Sequence, residues 1–386
     1  MQTSKLGEAS DSNLPAHPCW DAVIAGAGPA GAITALVLAR RGYRVLLLDS
    51  RTEARWKIGE TLPPAGIALL RRLELADLLE ADGHRKSYGN RSAWGGDDLV
   101  DADFIFDPAG YGWQLDRRSF ETRLVECARQ AGAHVLRGCE LLEANPDSSS
   151  WMLTGHNASG AFVVRSTWVA DATGRCSRLA RHLGARRRIL DTQVCVYAVF
   201  SSLKVAAGED QDARTTIEAA PEGWWYTALM PSGYRTVAYL TDADLIRQSQ
   251  WRSADWFLEA VARTKHLSKL LKRFGYTLNG APRLTSAQSA RLDRYVGSRW
   301  IALGDAAFCF DPLSSRGIFN AVYTGQAGGE VIANAISGDP LAVVKYAESL
   351  ENIWHVYVHQ RWHYYRSETR WRTRSFWSRR IAAFVP

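Results

Sequence analysis

A strand that runs directly into a glycine-rich turn and a small-residue helix leaves this chain few folds to choose from. Asp21 to Ala25 reads as a strand, residues 26–31 are GAGPAG, and an Ala/Leu-rich helix follows to about Arg40. Gly42 stops that helix and a second strand runs from Arg44 to Leu48. The β-α-β unit satisfies G-x-G-x-x-G with Gly26, Gly28 and Gly31. The first glycine permits the tight turn, the second lets a pyrophosphate approach the backbone, and the third lets the helix pack on the strand. The helix N-terminus then offers free N–H groups and a partial positive charge to the phosphates. Asp49 closes the second strand, where an acid is needed for a ribose hydroxyl. The expectation is a dinucleotide site in a Rossmann-like domain.

The rest of the 386-residue chain alternates in character. Pro63 to Glu80 and Phe120 to Gly132 read as amphipathic helices, and His134 to Leu136 and Phe162 to Ala170 as strands. From Asp191 to Leu240 the chain turns rich in Val, Thr, Tyr and Trp, with turn residues at Pro221–Gly223 and Pro231–Gly233, which predicts antiparallel strands. Arg252 to Phe274 reads as one helix, Arg299 to Leu303 as a buried strand, a helix starts near Gly317, and Pro340 to Arg370 is mainly helical. The fold class expected is α/β plus antiparallel β: a discontinuous nucleotide-binding domain (19–95, 115–185 and 290–340) with an inserted antiparallel-sheet substrate domain (96–114 and 186–289). A polar tail, 1–18, precedes them, and a C-terminal helical segment, 341–386, follows.

Composition narrows the functional classes. The first 20 residues lack the apolar core of a signal peptide, and no apolar run reaches the roughly 18 residues of a membrane span. The six Cys show no CxxC pair and no zinc spacing, so reduced thiols in a cytoplasmic protein are expected, with no metal. The net charge of +7 is partly local: Gln360 to Arg380 holds seven Arg and one acidic residue. Such a cluster attracts anionic surfaces, or is simply the solvated face of a packed terminal helix. No nucleic-acid partner is expected.

Two further segments select FAD as the dinucleotide. VADATGRCSR at 169–178 and IALGDA at 301–306 resemble the second and third motifs of the flavoprotein monooxygenase and halogenase superfamily built like para-hydroxybenzoate hydroxylase. The resemblance implies that Asp171 and Gly174 belong to the FAD site and that Gly304 and Asp305 meet the flavin ribityl chain. DPLSSRGI resembles the loop beside the isoalloxazine, with Pro312 near the ring. The helix beginning at Gly317 and Ile318 would aim N–H groups at the flavin edge that becomes negative on reduction. Arg117, in LDRRSFE, matches the family's Arg before the second amphipathic helix.

Within the superfamily, residues separate the branches. Tryptophan halogenases carry W-x-W-x-I-P, a Lys after their GE-x-x-x-P segment and a Glu in the flavin loop. Here the corresponding stretches are GWWYTALMP at 223–231, SYGNRSAWG at 87–95 without Lys, and DPLSS with Ser314; Lys86, just outside, reads as a surface residue. The resemblance then implies oxygen transfer through a flavin C4a-hydroperoxide, with electrons from NAD(P)H directly or from a separate flavin reductase. A narrower resemblance, at GETLPP, the SAWG stretch, GWWYTALMP with TDAD, and YYRSETRWRTRSFWSRR, is to flavoprotein maturases of quinone-cofactor enzymes, which hydroxylate a Trp within another protein. That implies a protein substrate, a quinoprotein subunit, during tryptophylquinone biogenesis. A small-molecule aromatic hydroxylase or phenol-type halogenase is the alternative, and a non-catalytic flavin-binding chaperone a third. Candidate pocket residues are Glu60, which equally suits a helix cap, and Trp225 and Tyr226 on the substrate sheet. Of Trp224 and Trp225, strand alternation sends one to the core. His84 reads as a surface residue.

Overall fold

The computed structural model describes residues 19–206, 208–246 and 251–382; the polar tail 1–18 lies outside them. Five parallel strands form the nucleotide-binding sheet, in the order Trp300–Ala302, Gly160–Asp171, Trp20–Ala25, Val45–Asp49 and His134–Arg137. Trp20–Ala25 and Val45–Asp49 are almost wholly buried, as a sheet covered on both faces demands. Helix Pro29–Arg40 packs between helices Gly317–Ile336 and Arg117–Gln130. Close approach is bought with small residues: a Cβ on Gly325 would meet the Ala30 carbonyl oxygen at 2.6 Å. An antiparallel meander, Glu140–Asp147 and Ser150–Asn157, extends the start of Gly160–Asp171.

The second sheet has seven strands, ordered Thr277–Ser286, Gln193–Ser201, Arg235–Asp242, Gly223–Leu229, Thr215–Ala220, Gly89–Ala93 and Val100–Asp103. All pairings are antiparallel except Thr215–Ala220 with Gly89–Ala93. The sequence groups Gly89–Ala93 with the nucleotide-binding part; the structure builds it into the seven-stranded sheet, because a partner more than a hundred residues downstream pairs with it.

Two helices run shorter than their periodicity predicts. Pro63 to Glu80 breaks into Pro64–Arg72 and Leu78–Ala81 at Glu74, which has φ of 58°. Arg252 to Phe274 breaks into Ala254–Ala262 and Leu267–Arg273. The cause is Glu218 of the sheet, whose carboxylate accepts from the N–H groups of Lys265, His266 and Leu267 and so starts a new helix there.

The C-terminal segment is an interior element. Helix Leu341–Ser367 presents Tyr346, Leu350, Trp354, Tyr357, Arg361 and Tyr365 as one buried stripe. Helix Ser375–Ala382 buries Phe376 and Trp377 completely. Among the described residues no helix is long and apolar enough to cross a membrane, and all six Cys are unbridged.

Candidate functional site

Between the two sheets lies a cavity of about 680 Å³. The parallel sheet and its loops supply one side: Gly26, Gly28, Asp49, Arg51, Gly174, Arg175 and Asp305. The seven-stranded sheet supplies the other: Cys195, Tyr197, Thr215, Ile217, Trp224 and Tyr226. The loop at Pro312 and Ser315–Ile318 and the segment Trp56–Thr61 complete it.

The glycine turn is shaped as its spacing predicts. A Cβ on Gly26 (φ 106°) would sit 2.2 Å from the Ala172 carbonyl oxygen, and one on Gly31 would sit 1.9 Å from that of Gly26, whereas one on Gly28 would meet nothing within 4 Å. Gly26 and Gly31 are therefore packing positions, and Gly28 leaves backbone open to the cavity at the start of helix Pro29–Arg40. Asp49 lines the cavity, 7% exposed, with its Oδ1 accepting from the Arg51 N–H at 3.1 Å. The N-terminus of the 20-residue helix Gly317–Ile336 faces the cavity through Gly317 and Ile318.

Arg117 spans two elements. Its Nη1 donates to the Gly59 carbonyl at 2.7 Å and its Nη2 to Glu121 Oε1 at 2.5 Å. Glu121 Oε2 accepts from Lys57 Nζ at 2.6 Å. Burial works against the Glu121 carboxylate, but Arg117 and Lys57 outweigh it and hold its pKa below the usual range. Burial in turn pulls the Lys57 ammonium down. This triad fastens the segment before Gly59 to helix Arg117–Gln130.

Asp305 is partly open to the cavity, with Arg175 Nε 3.4 Å from its Oδ2. Arg175 also donates to the Gln288 carbonyl at 2.9 Å. It sits inside VADATGRCSR, and its charge opposite the GDA acid was the available signal for it. Asp171 behaves differently. It is fully buried and does not line the cavity; its oxygens accept from Thr173 N–H (2.9 Å), Thr173 Oγ1 (2.6 Å) and Ala180 N–H (2.7 Å). The carboxylate shapes the Ala172–Gly174 loop, whose residues do reach the cavity. Gly304 likewise stands behind the wall: with φ of 54°, its Cβ would lie 3.0 Å from that of Ala30.

Two expectations on the side of the seven-stranded sheet change, those for Trp225 and His84, and the alternatives left open for Glu60 are decided. Trp225 lies on the far face of the sheet, stacked on Tyr239 at 4.6 Å and edge-on to Phe257 at 5.5 Å. Strand alternation puts Trp224 and Tyr226 on the cavity side instead. His84 is buried, its Nδ1 accepting from the Asp116 N–H at 3.1 Å. Glu60 caps no helix: Pro63 precedes helix Pro64–Arg72 and no side chain bonds there. Glu60 is 2% exposed and lines the cavity. Its Oε2 accepts from the Gly59 N–H at 2.7 Å; its Oε1 is buried and makes no hydrogen bond of normal geometry, although the Thr236 hydroxyl favours the charged carboxyl. Burial pushes this carboxyl up. Lys86 is, as expected, at the surface, paired with Glu80 at 2.8 Å.

The residues fit a dinucleotide with a bulky planar end: an open backbone turn at a helix start, an acid at a strand end, a second acid and an arginine midway, and an aromatic chamber beyond. The comparisons agree. The FAD binding domain family model matches residues 20–340. The putative FAD-dependent oxidoreductase LodB of Marinomonas mediterranea is 30% identical over 368 residues, 94% of this chain and 97% of that protein. The myxobacterial chondrochloren halogenase CndH superposes with a TM-score of 0.85 at 20% identity, over 94% of this chain and 86% of its own. The peptidyl tryptophan dihydroxylase QhpG, essential for tryptophylquinone cofactor biogenesis, superposes with a TM-score of 0.77 at 23% identity, over 94% and 79%. At those identities the structural likenesses speak to the fold, a halogenase- and monooxygenase-like one. The family match over most of the chain carries the identification: this chain belongs to the FAD binding domain family and is an FAD-dependent oxidoreductase with FAD as its cofactor.

Proposed function

We propose that the chain is a monooxygenase that hydroxylates an indole, the side chain of a Trp within a partner protein such as a quinoprotein subunit. The observation that carries this reading is the chamber on the seven-stranded-sheet side. It is walled by Tyr197, Ile217, Trp224 and Tyr226 and contains one buried carboxyl, that of Glu60, whose Oε1 makes no hydrogen bond of normal geometry, although the Thr236 hydroxyl favours its charge. A flat, electron-rich ring fills such a space by burying apolar area against aromatic faces. QhpG, which shares the fold, is itself a peptidyl tryptophan dihydroxylase.

In this reading Gly28, Asp49, Arg117, Asp305 and the Pro312–Ile318 loop hold FAD, with Gly26, Gly31, Asp171, Gly174 and Gly304 shaping the turns around it. Reduced FAD supplies activated dioxygen, one atom of which goes to the ring while the other leaves as water. The chain's residues do the rest. The aromatic walls hold the ring and exclude water. As the ring C–O bond forms, the C–H bond at the same carbon breaks, and Glu60 Oε1 takes the proton. A carboxyl whose pKa burial has raised is a better-matched base for that step than an exposed one.

One observation favours a second reading, halogenation: Lys57 is on the cavity wall. Its ammonium is engaged by Glu121 at 2.6 Å, which argues against a role in delivering an oxidised halide. Reduced holoenzyme incubated with dioxygen and an indole-containing substrate, with and without chloride or bromide, separates the readings. Oxygenated product without halide supports hydroxylation; halogenated product supports the second reading; no product and no substrate-linked oxygen uptake supports a flavin-binding chaperone.

A further inference from the structure

The loop that begins at Asp311 is held from behind by the C-terminal helix. Asp311 is 1% exposed. Its Oδ1 accepts from the Leu313 N–H at 3.0 Å and from Gln193 Nε2 at 3.2 Å; its Oδ2 accepts from the Tyr365 hydroxyl at 2.7 Å and from Arg361 Nε at 3.3 Å. Its own N–H donates to the Tyr357 hydroxyl at 2.8 Å. Tyr357, Arg361 and Tyr365 recur every four residues, so one face of one helix supplies all three contacts.

The Tyr365 hydroxyl also reaches the opposite side of the cavity. It accepts from Trp224 Nε1 at 3.1 Å. Trp224 is a wall of the aromatic chamber, while Pro312, next to Asp311, lies in the loop on the flavin side. Tyr365 itself does not line the cavity. The hydroxyl has two acceptors, Asp311 Oδ2 at 2.7 Å and Gln193 Oε1 at 3.3 Å; the shorter bond goes to the flavin-side loop, and a lone pair accepts from the substrate-side wall. Its ring is clamped between the guanidinium groups of Arg361 (4.9 Å) and Arg380 (5.2 Å), and Arg380 is itself anchored on Asp242 at 2.7 Å.

We propose that Tyr365 is a positioning residue that fixes the flavin-side loop at Asp311 and the substrate wall at Trp224 relative to one another, so that the C-terminal helix sets the geometry of the reaction chamber. This rests on the division of the cavity into flavin and substrate sides given above. Its test reads the flavin itself and needs no substrate.

The experiment compares three single holoenzyme variants, and the double variant that joins Tyr365→Phe to Trp224→Phe, by visible circular dichroism of bound flavin, FAD titration and thermal melting. Tyr365→Phe keeps the ring and removes the hydroxyl. We expect it to alter the flavin dichroism and to weaken FAD binding about three- to tenfold, less than the full worth of a hydrogen bond to a carboxylate because the hydroxyl reaches FAD only through the loop. Phe376→Leu trims a ring that packs on Tyr365 and has no polar atom to bond Asp311 or Trp224; it should lower the melting temperature and leave both flavin readouts unchanged. Trp224→Phe removes the other partner of the hydroxyl, and its effect on flavin dichroism should be non-additive with that of Tyr365→Phe. Unchanged flavin readouts in Tyr365→Phe, additivity in the double variant, or flavin changes in Phe376→Leu that track the loss of stability would each overturn the proposal. Failure of the parent chain to bind any indole would instead strike the substrate reading and leave these flavin readouts standing.

Discussion

Trp224 and Trp225 are consecutive, and their indoles lie on opposite faces of one sheet: Trp224 walls the cavity, while Trp225 stacks on Tyr239 in the core behind it. The two positions should respond differently to substitution. Trp225→Ala should destabilise the fold by about 3–5 kcal/mol, the usual loss for a large aromatic removed from a packed core. Trp224→Phe should cost far less stability and act on the chamber. Urea unfolding of both variants checks this; equal losses would mean that the faces are wrongly assigned.

The two motif aspartates should also separate. Asp305→Ala removes a charged acceptor at the cavity surface, and a hydrogen bond to a charged group is worth about 1.5–3 kcal/mol, so FAD should bind roughly ten- to a hundredfold more weakly in a folded protein. Asp171→Asn turns an amide toward the N–H groups that the carboxylate accepts from, and should lower stability even without FAD. Fluorescence titration with FAD and melting of the flavin-free protein distinguish the two effects. An Asp305→Ala protein that retains FAD as the parent does would contradict the assignment of the cavity.

Glu60 gives a pH signature. Burial raises its folded pKa, so the folded state favours the neutral acid. That contribution to stability is fully present below the pKa of a glutamate in the unfolded chain, and it is lost as pH rises through the folded value. Glu60→Gln lacks the effect, so its melting temperature should gain on the parent's as pH rises. With Glu60 as the proton acceptor, product formation in the parent should rise through the same window. Glu60→Gln should be slower by about a hundredfold or more, with FAD affinity unchanged. A pH-independent difference in melting temperature would remove the titration from the account.

How much of this was legible in the sequence depends on how local the determining interactions are. The turn at Gly26–Gly31 and Asp49 are set within one β-α-β unit, and they stand where spacing puts them. Asp171 has the right spacing too, but its partners Thr173 and Ala180 take up the carboxylate, and no pattern of residue types reveals that. Alternation told that Trp224 and Trp225 must diverge; which one faces the cavity depends on what packs behind the sheet, here Phe257 from a helix thirty residues on. The C-terminal arginines were the least legible. Arg361 and Arg380 are buried against Asp191, Asp311 and Asp242, acids far away in sequence.

Arg370 illustrates the consequence for partner docking. It is bound to the buried Glu368 at 2.6 Å and to Asp97 at 2.6 Å, whereas Arg372 is exposed and Arg374, also exposed, pairs with Glu222 at 3.6 Å. Arg370→Gln should lower the melting temperature, since it leaves Glu368 buried without its cation. Arg372→Gln with Arg374→Gln should leave stability unchanged and, if an acidic partner docks there, slow association at low salt. Binding kinetics at low and high salt, beside melting curves, check both halves. Unaltered association at low salt would exclude these arginines from partner docking.

In the proposed reading the flavin cavity places one atom of dioxygen on an indole within a partner protein. The most direct measurement is the intact and peptide mass of a Trp-containing quinoprotein subunit after incubation with the reduced holoenzyme under isotopically heavy dioxygen. The account predicts heavy oxygen incorporated at a Trp residue, without added halide, and loss of that incorporation in Glu60→Gln. A subunit of unchanged mass while a small aromatic compound is oxygenated, or a halogen in place of the oxygen, would contradict it.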